Sequence, residues 1–165
     1  MDTEEQEPPA QYNSLKDQMG HLIDEARMVL PGIQALFGFQ TVAVFNERFA
    51  ELPFGVQACH MVALALVIVA IALVMMPTAY HRLATPDKVT LHTIKVCSRA
   101  ICYALAPLAA GLALDLFVVL YAITAHTVFS SASAAVSFVL LIGLWFVYPL
   151  HRRRVHGYGA TDAGA

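Results

Sequence analysis

Residues 100–125, AICYALAPLAAGLALDLFVVLYAITA, carry a single charged side chain, Asp115, in an otherwise apolar run. A helix of about 20 predominantly apolar residues crosses the hydrocarbon core of a bilayer, so this stretch predicts a membrane-spanning helix. Three further stretches resemble it: residues 28–45, residues 61–76 with flanks reaching Phe54 and Tyr80, and residues 132–150. The first is the most polar, because it contains Gln34, Gln40 and Thr41. Strands of a membrane barrel run to about 10 residues with alternating polarity, and no such alternation occurs. The expected fold is all-α, an integral membrane four-helix bundle. Its spans fall at about 27–46, 55–80, 98–125 and 129–150, within a domain covering residues 14–151.

Composition points the same way. The 165 residues are 58% hydrophobic and 13% charged, with a mean hydropathy of +0.62. A water-soluble domain is about 45–50% apolar and about 25% charged; this chain has too little polar surface to coat a globule of its size. A soluble enzyme, a secreted disulfide scaffold and a nucleic-acid-binding module are therefore poor fits. The net charge of −2 names no basic partner and no nucleic acid. Cys59, Cys97 and Cys102 are odd in number and lie in apolar runs, which is no disulfide framework. The five-residue step from Cys97 to Cys102 is not a metal-ligand spacing on a helix. The sequence has no nucleophile elbow, phosphate loop, HExxH or Cys-x-x-Cys. Neither catalysis nor a cofactor or metal is expected. The lipid bilayer is the expected partner, together with a second copy of the chain or another membrane-complex subunit.

Residues 1–13 are acidic, contain Pro8-Pro9 and lack apolar periodicity, which reads as a disordered tail; residues 152–165 read as a basic and then flexible tail. Ser14 and Asp17 resemble a capping box. Leu15, Met19, Leu22, Ile23 and Ala26 then form an apolar stripe, an amphipathic cytoplasmic extension at the start of helix 1. Thr85-Pro86-Asp87 reads as the start of the third helix. Lys16, Arg27, Arg82, Lys88, Lys95, Arg99 and Arg152 to Arg154 fall on one side of the expected membrane, and only Arg48 on the other. This positive-inside asymmetry predicts that both termini are cytoplasmic. Trp145 and Tyr148 suit the inner interfacial belt.

Asp115 is the most informative residue. A carboxylate within a span is costly, so it must be protonated, paired or beside water, and such a group is a functional-site candidate by default. Counting at about 1.5 Å per residue from the outer helix ends predicts a polar layer of Gln34, Asp115 and Ser137. His126 lies three turns beyond Asp115 on the same face. Asp24, Arg27, Pro31, Gln34, Gly38 and Thr41 recur at steps of 3 and 4 on one face of helix 1. That face is expected to point at protein, either as a packing seam or as one wall of a hydrated path. Arg27 lies too far toward the cytoplasm for Asp115, and Asp24 or Glu25 is its expected partner. His60 and His126 fall at similar heights, where a haem or metal bridge is a further reading.

Asp24-Glu25-Ala26-Arg27, Leu30-Pro31-Gly32-Ile33-Gln34 and Phe37-Gly38-Phe39-Gln40, with Arg48-Phe49 and Ala79-Tyr80-His81-Arg82, carry a family likeness. Over residues 15–150 the chain resembles a family of small bacterial four-span membrane proteins of unknown function, some members of which are labelled sodium:proton antiporters. The resemblance implies a bacterial inner-membrane location and the four-span layout, and it brings no catalytic residues. Three functions stay open from the sequence. The first is a small proton- or cation-linked transport or permeation protein, with Asp115, Gln34, Ser137, Arg27 and His126 as path candidates. The others are a non-catalytic accessory or structural subunit of a membrane complex, and a haem-binding membrane subunit.

Overall fold

The computed structural model describes residues 9–84 and 90–157, with side chains described over residues 14–83 and 90–152. The described residues hold no strand. Helix α1 runs Pro9–Ala43, the one-turn α2 Glu47–Ala50, α3 Phe54–Ala84 and α4 Leu91–Thr124. In the last rod, α5 (Thr127–Ile142) passes through a π-helical turn (Gly143–Val147) into α6 (Tyr148–Gly157). Three segments are long and apolar enough to cross a membrane: Phe54–Leu83, Leu91–Thr124 and Thr127–Arg152. Helix α1 is not among them, because Arg27, Gln34, Gln40 and Thr41 dilute its apolar content.

Helix starts differ from the sequence expectation. Helix α1 begins at Pro9, so Ser14 lies inside it, and its Oγ accepts from Gln18 Nε2 at 3.4 Å instead of capping. Helix α4 is capped at Thr90, whose Oγ1 accepts the Thr93 N–H at 3.3 Å. The expected start at Thr85-Pro86-Asp87 lies outside the described residues, as do Lys88 and residues 1–8 and 158–165.

Each of the three core helices buries a seam of residues three or four apart, the spacing that keeps side chains on one helix face. On α3 it is Val56, His60, Ala63, Val67, Ala70, Val74 and Pro77. On α4 it is Ile94, Cys97, Ala100, Ala104, Leu108, Gly111 and Val118, with half-buried Asp115 in step. On α1 buried Leu15, Met19, Ala26, Ile33 and Gln40 alternate with half-buried Leu22, Leu30 and Phe37 at that spacing. In lipid, helices associate through close van der Waals packing, which favours small residues at contacts. Among the described glycines, only Gly111 lies close against another helix: a Cβ there would stand 3.1 Å from Val67 Cγ2 and 3.3 Å from the Ala63 carbonyl oxygen.

Helix α1 runs antiparallel to α3 from Leu15, near Tyr80, to Gln40, beside His60. Leu15 and Met19 pack with Ile94, Cys97 and Tyr80 at one end of the molecule. Ala26 and Ile33 join Val67, Ala70, Val74, Ala104 and Leu108 in the middle. Helix α5 lies along α4 and buries only Ser130, so the packed core has three helices with the fourth on one flank. Trp145, expected in the interfacial belt, packs from the π-helical turn against the central cluster. The turn from α4 to α5 is made by Ala125 in the left-handed region (φ 52°), its N–H donating to the Tyr121 carbonyl.

The stripe expected to face protein on α1 faces outward: Asp24, Arg27, Pro31, Gln34 and Gly38 are exposed, and only Thr41 is half-buried. The reason is competition between faces. The apolar residues at the same spacing make the larger contact, and the polar stripe takes the face left over.

Candidate functional site

Gly111 brings α4 onto α3 at Ala63 and Val67. One turn along α4 from Gly111 is Asp115, and one turn before Ala63 on α3 is His60. The close approach therefore sets these two side chains against each other. His60 Nδ1 lies 3.5 Å from Asp115 Oδ1. The other carboxylate oxygen, Oδ2, accepts a hydrogen bond from Gln40 Nε2 in the last turn of α1. His60 Nε2 is 2.9 Å from the backbone carbonyl oxygen of Gln40. A carbonyl only accepts, so Nε2 carries the hydrogen and donates it. That carbonyl is among the last four of α1, which have no partner within their own helix, so His60 also closes the helix end.

The cluster is dry. His60 and Gln40 are each 4% exposed, and the Asp115 side chain is 16% exposed. The Phe49 ring of α2 stands edge-on to the His60 ring, with centroids 5.1 Å apart. Phe49 is held by Gln57, one turn before His60 on α3. Its Nε2 faces the carbonyl oxygens of Phe49 (3.1 Å), Ala50 (3.3 Å) and Leu52 (3.0 Å), which fixes residues 49–52 over the start of α3. Asn46 caps the same turn by accepting the Arg48 N–H at 3.0 Å. Chemically, the arrangement offers a carboxylate flanked by a donating amide and an imidazole, which can hold and release a proton or neutralise a small cation.

The polar layer expected from depth is not assembled. Gln34 is exposed, and Ser137 lies on α5 in an open groove with Phe129, Ser133 and Leu140. Counting residues gives height but not rotation. Gln34 is six residues before Gln40, about 120° around the helix at 3.6 residues per turn, so it leaves the packed face. Arg27 is exposed and pairs with Asp24 at 3.6 Å. His126, expected on the Asp115 face, is exposed at the start of α5. Its backbone N–H donates to Thr124 Oγ1 and its carbonyl accepts from Ser130 Oγ. The bridge between His60 and His126 is not formed: both His60 nitrogens are engaged with Gln40 and Asp115.

Gln40 and His60 are the partners that the sequence analysis missed. The signal for both was present in the seams, since each stands at a position where the apolar residues of its own helix recur every three or four places.

Residues 10–149 match a protein family described as a family of unknown function, DUF6328. No curated protein and no solved structure matches the chain.

Proposed function

Because the chain belongs to the DUF6328 family of unknown function, its function has to be read from its own site, and we propose that it is a small multi-pass membrane protein that moves protons or small cations, with Asp115 as the exchanging carboxylate. The observation that carries this reading is the meeting of Asp115 with His60 and Gln40, inside a helix apolar enough to cross a membrane. Ionisable groups at membrane depth are costly and are kept chiefly where they bind or relay ions.

In this reading α1 is a fourth crossing. From Leu15, beside Ile94 and Cys97, to Gln40, beside Asp115, it covers about 37 Å alongside two helices able to span. Four crossings place both termini on one side. Lys16, Arg82, Lys95, Arg99 and Arg152 gather at that end and Arg48 at the other, which supports cytoplasmic termini in a cell (inner) membrane. A second copy of the chain is the proposed cover for the outward face of α1, because lipid offers the Gln34 amide no hydrogen bond.

The test is ion flux into proteoliposomes, with separate dyes for protons and for monovalent cations. Wild type is expected to dissipate a gradient faster than Asp115→Asn by on the order of tenfold or more, about 1.4 kcal/mol in the barrier. Equal flux in the two proteins, or none in either, removes the reading. A stable hetero-complex in native mass determination would favour an accessory subunit in its place.

A further inference from the structure

We infer that the ligand of this site is a single proton held jointly by Asp115 and His60, and not a metal cation; the inference rests on the reading of Asp115 as the exchanging group. The Gln40 carbonyl fixes a hydrogen on His60 Nε2. A neutral imidazole with its hydrogen there turns the Nδ1 lone pair toward Asp115 Oδ1 at 3.5 Å. Against an ionised carboxylate in a largely buried site, that is lone pair facing lone pair. One proton between the two atoms relieves it. On Nδ1 it makes an imidazolium beside a carboxylate; on Oδ1 it makes a carboxylic acid donating to a neutral imidazole. Both arrangements leave the Gln40 Nε2 bond to Oδ2 intact, so the proton changes owner without rebuilding the site.

The surroundings fit a proton better than a metal. A hard metal cation takes about six or more oxygen ligands, whereas the groups that converge on this carboxylate are nitrogens, the Gln40 N–H and the His60 Nδ1. Gln40 Oε1 is buried and has no hydrogen-bond partner. It lies on the amide that touches Asp115, an acceptor suited to a proton-bearing guest such as a water or hydronium. The groups facing the pair are the Gln40 amide from α1 and the Phe49 ring from α2. From α3 and α4 they are the two partners themselves, and the neighbouring charged residues Glu47, Arg48 and Glu51 are exposed.

The deciding experiment is solid-state NMR of protein labelled with ¹⁵N-histidine and ¹³C-aspartate in lipid bilayers, titrated from about pH 5 to 8, the interval in which imidazoles change charge. His60 and Asp115 signals are identified by their loss in His60→Gln and Asp115→Asn. In the wild type, Nε2 is expected to stay protonated throughout. The His60 Nδ1 and Asp115 Cγ signals are expected to move at one shared midpoint, and saturating sodium or potassium to move neither. In Asp115→Asn the pH response of the His60 Nδ1 signal is expected to change, because the side chain facing it no longer takes up a proton. If that variant fails to fold, the wild-type signals still decide. Separate midpoints, loss of the Nε2 proton first, or an Asp115 signal that follows sodium at fixed pH overturns the inference. A shared midpoint without any flux defeats the transport reading and keeps the proton pair. Flux with an independent His60 does the reverse.

Discussion

Replacing His60 by leucine is expected to lower the unfolding free energy by about 3–5 kcal/mol, the usual cost of stripping one partner from a buried pair. Two groups lose their company at once. Asp115 Oδ1 loses the imidazole 3.5 Å away, and the Gln40 carbonyl loses its donor at 2.9 Å. Adding Asp115→Leu to the same chain is expected to return part of the loss, because replacing a whole buried pair by apolar side chains is often neutral or better. The part not returned comes from Gln40, whose carbonyl has lost His60 and whose Nε2 has lost Asp115 Oδ2, about 1–3 kcal/mol for each group. Denaturation in mixed micelles reads all three proteins. The single tryptophan, Trp145, packs against the central cluster and serves as the fluorescence probe. A double variant as unstable as the single one would show that His60 matters for its shape, not for its bond to Asp115.

Enlarging Gly111 has the second large effect. A Cβ there meets Val67 Cγ2 at 3.1 Å and the Ala63 carbonyl at 3.3 Å. The Val67 methyl can give by a few tenths of an ångström, and alanine gains about 1 kcal/mol of helix propensity over glycine, so Gly111→Ala is expected to be close to neutral. Gly111→Leu has no such escape, since the Ala63 oxygen belongs to the α3 backbone. Overpacking is expected to cost about 1–3 kcal/mol and to push α4 off α3. Asp115, one turn away, then moves off His60, and the flux difference between this variant and Asp115→Asn is expected to vanish. Gly38→Leu is the control for packing within one chain, because none of the chain's own atoms lies within 4 Å of a Cβ there. Thermal unfolding in detergent with parallel flux measurements checks the set; equal loss of stability at Gly38 and Gly111 would contradict the close-contact account.

Part of the site was legible in advance and part was not. Asp115 stood out because one charge in a long apolar run is visible without any geometry. The pairing of Arg27 with Asp24 follows from their three-residue step on one helix. The polar stripe of α1 misled, because its regular spacing matched a packing face as well as the buried seam does. Periodicity identifies a face of a helix, and the choice between two faces belongs to the neighbours. The partners Gln40 and His60 were hidden for the same reason: each is a lone polar residue within an apolar seam, recognisable only once the apolar positions are traced through it.

The sequence by itself determined the helical, membrane-type character of this protein, three of the four apolar segments expected to span, and the presence of a carboxylate within one of them. Hydropathy accumulates along a chain, and a segment that must satisfy its own backbone hydrogen bonds away from water becomes a helix whatever surrounds it. The tertiary structure decided which face of α1 is buried, that α5 lies on one flank, and that Asp115 meets His60 and Gln40 and not Gln34 or Ser137. Those outcomes depend on how far each helix is rotated about its axis. Rotation is set where side chains of different helices interlock, above all where Gly111 admits the backbone of α3.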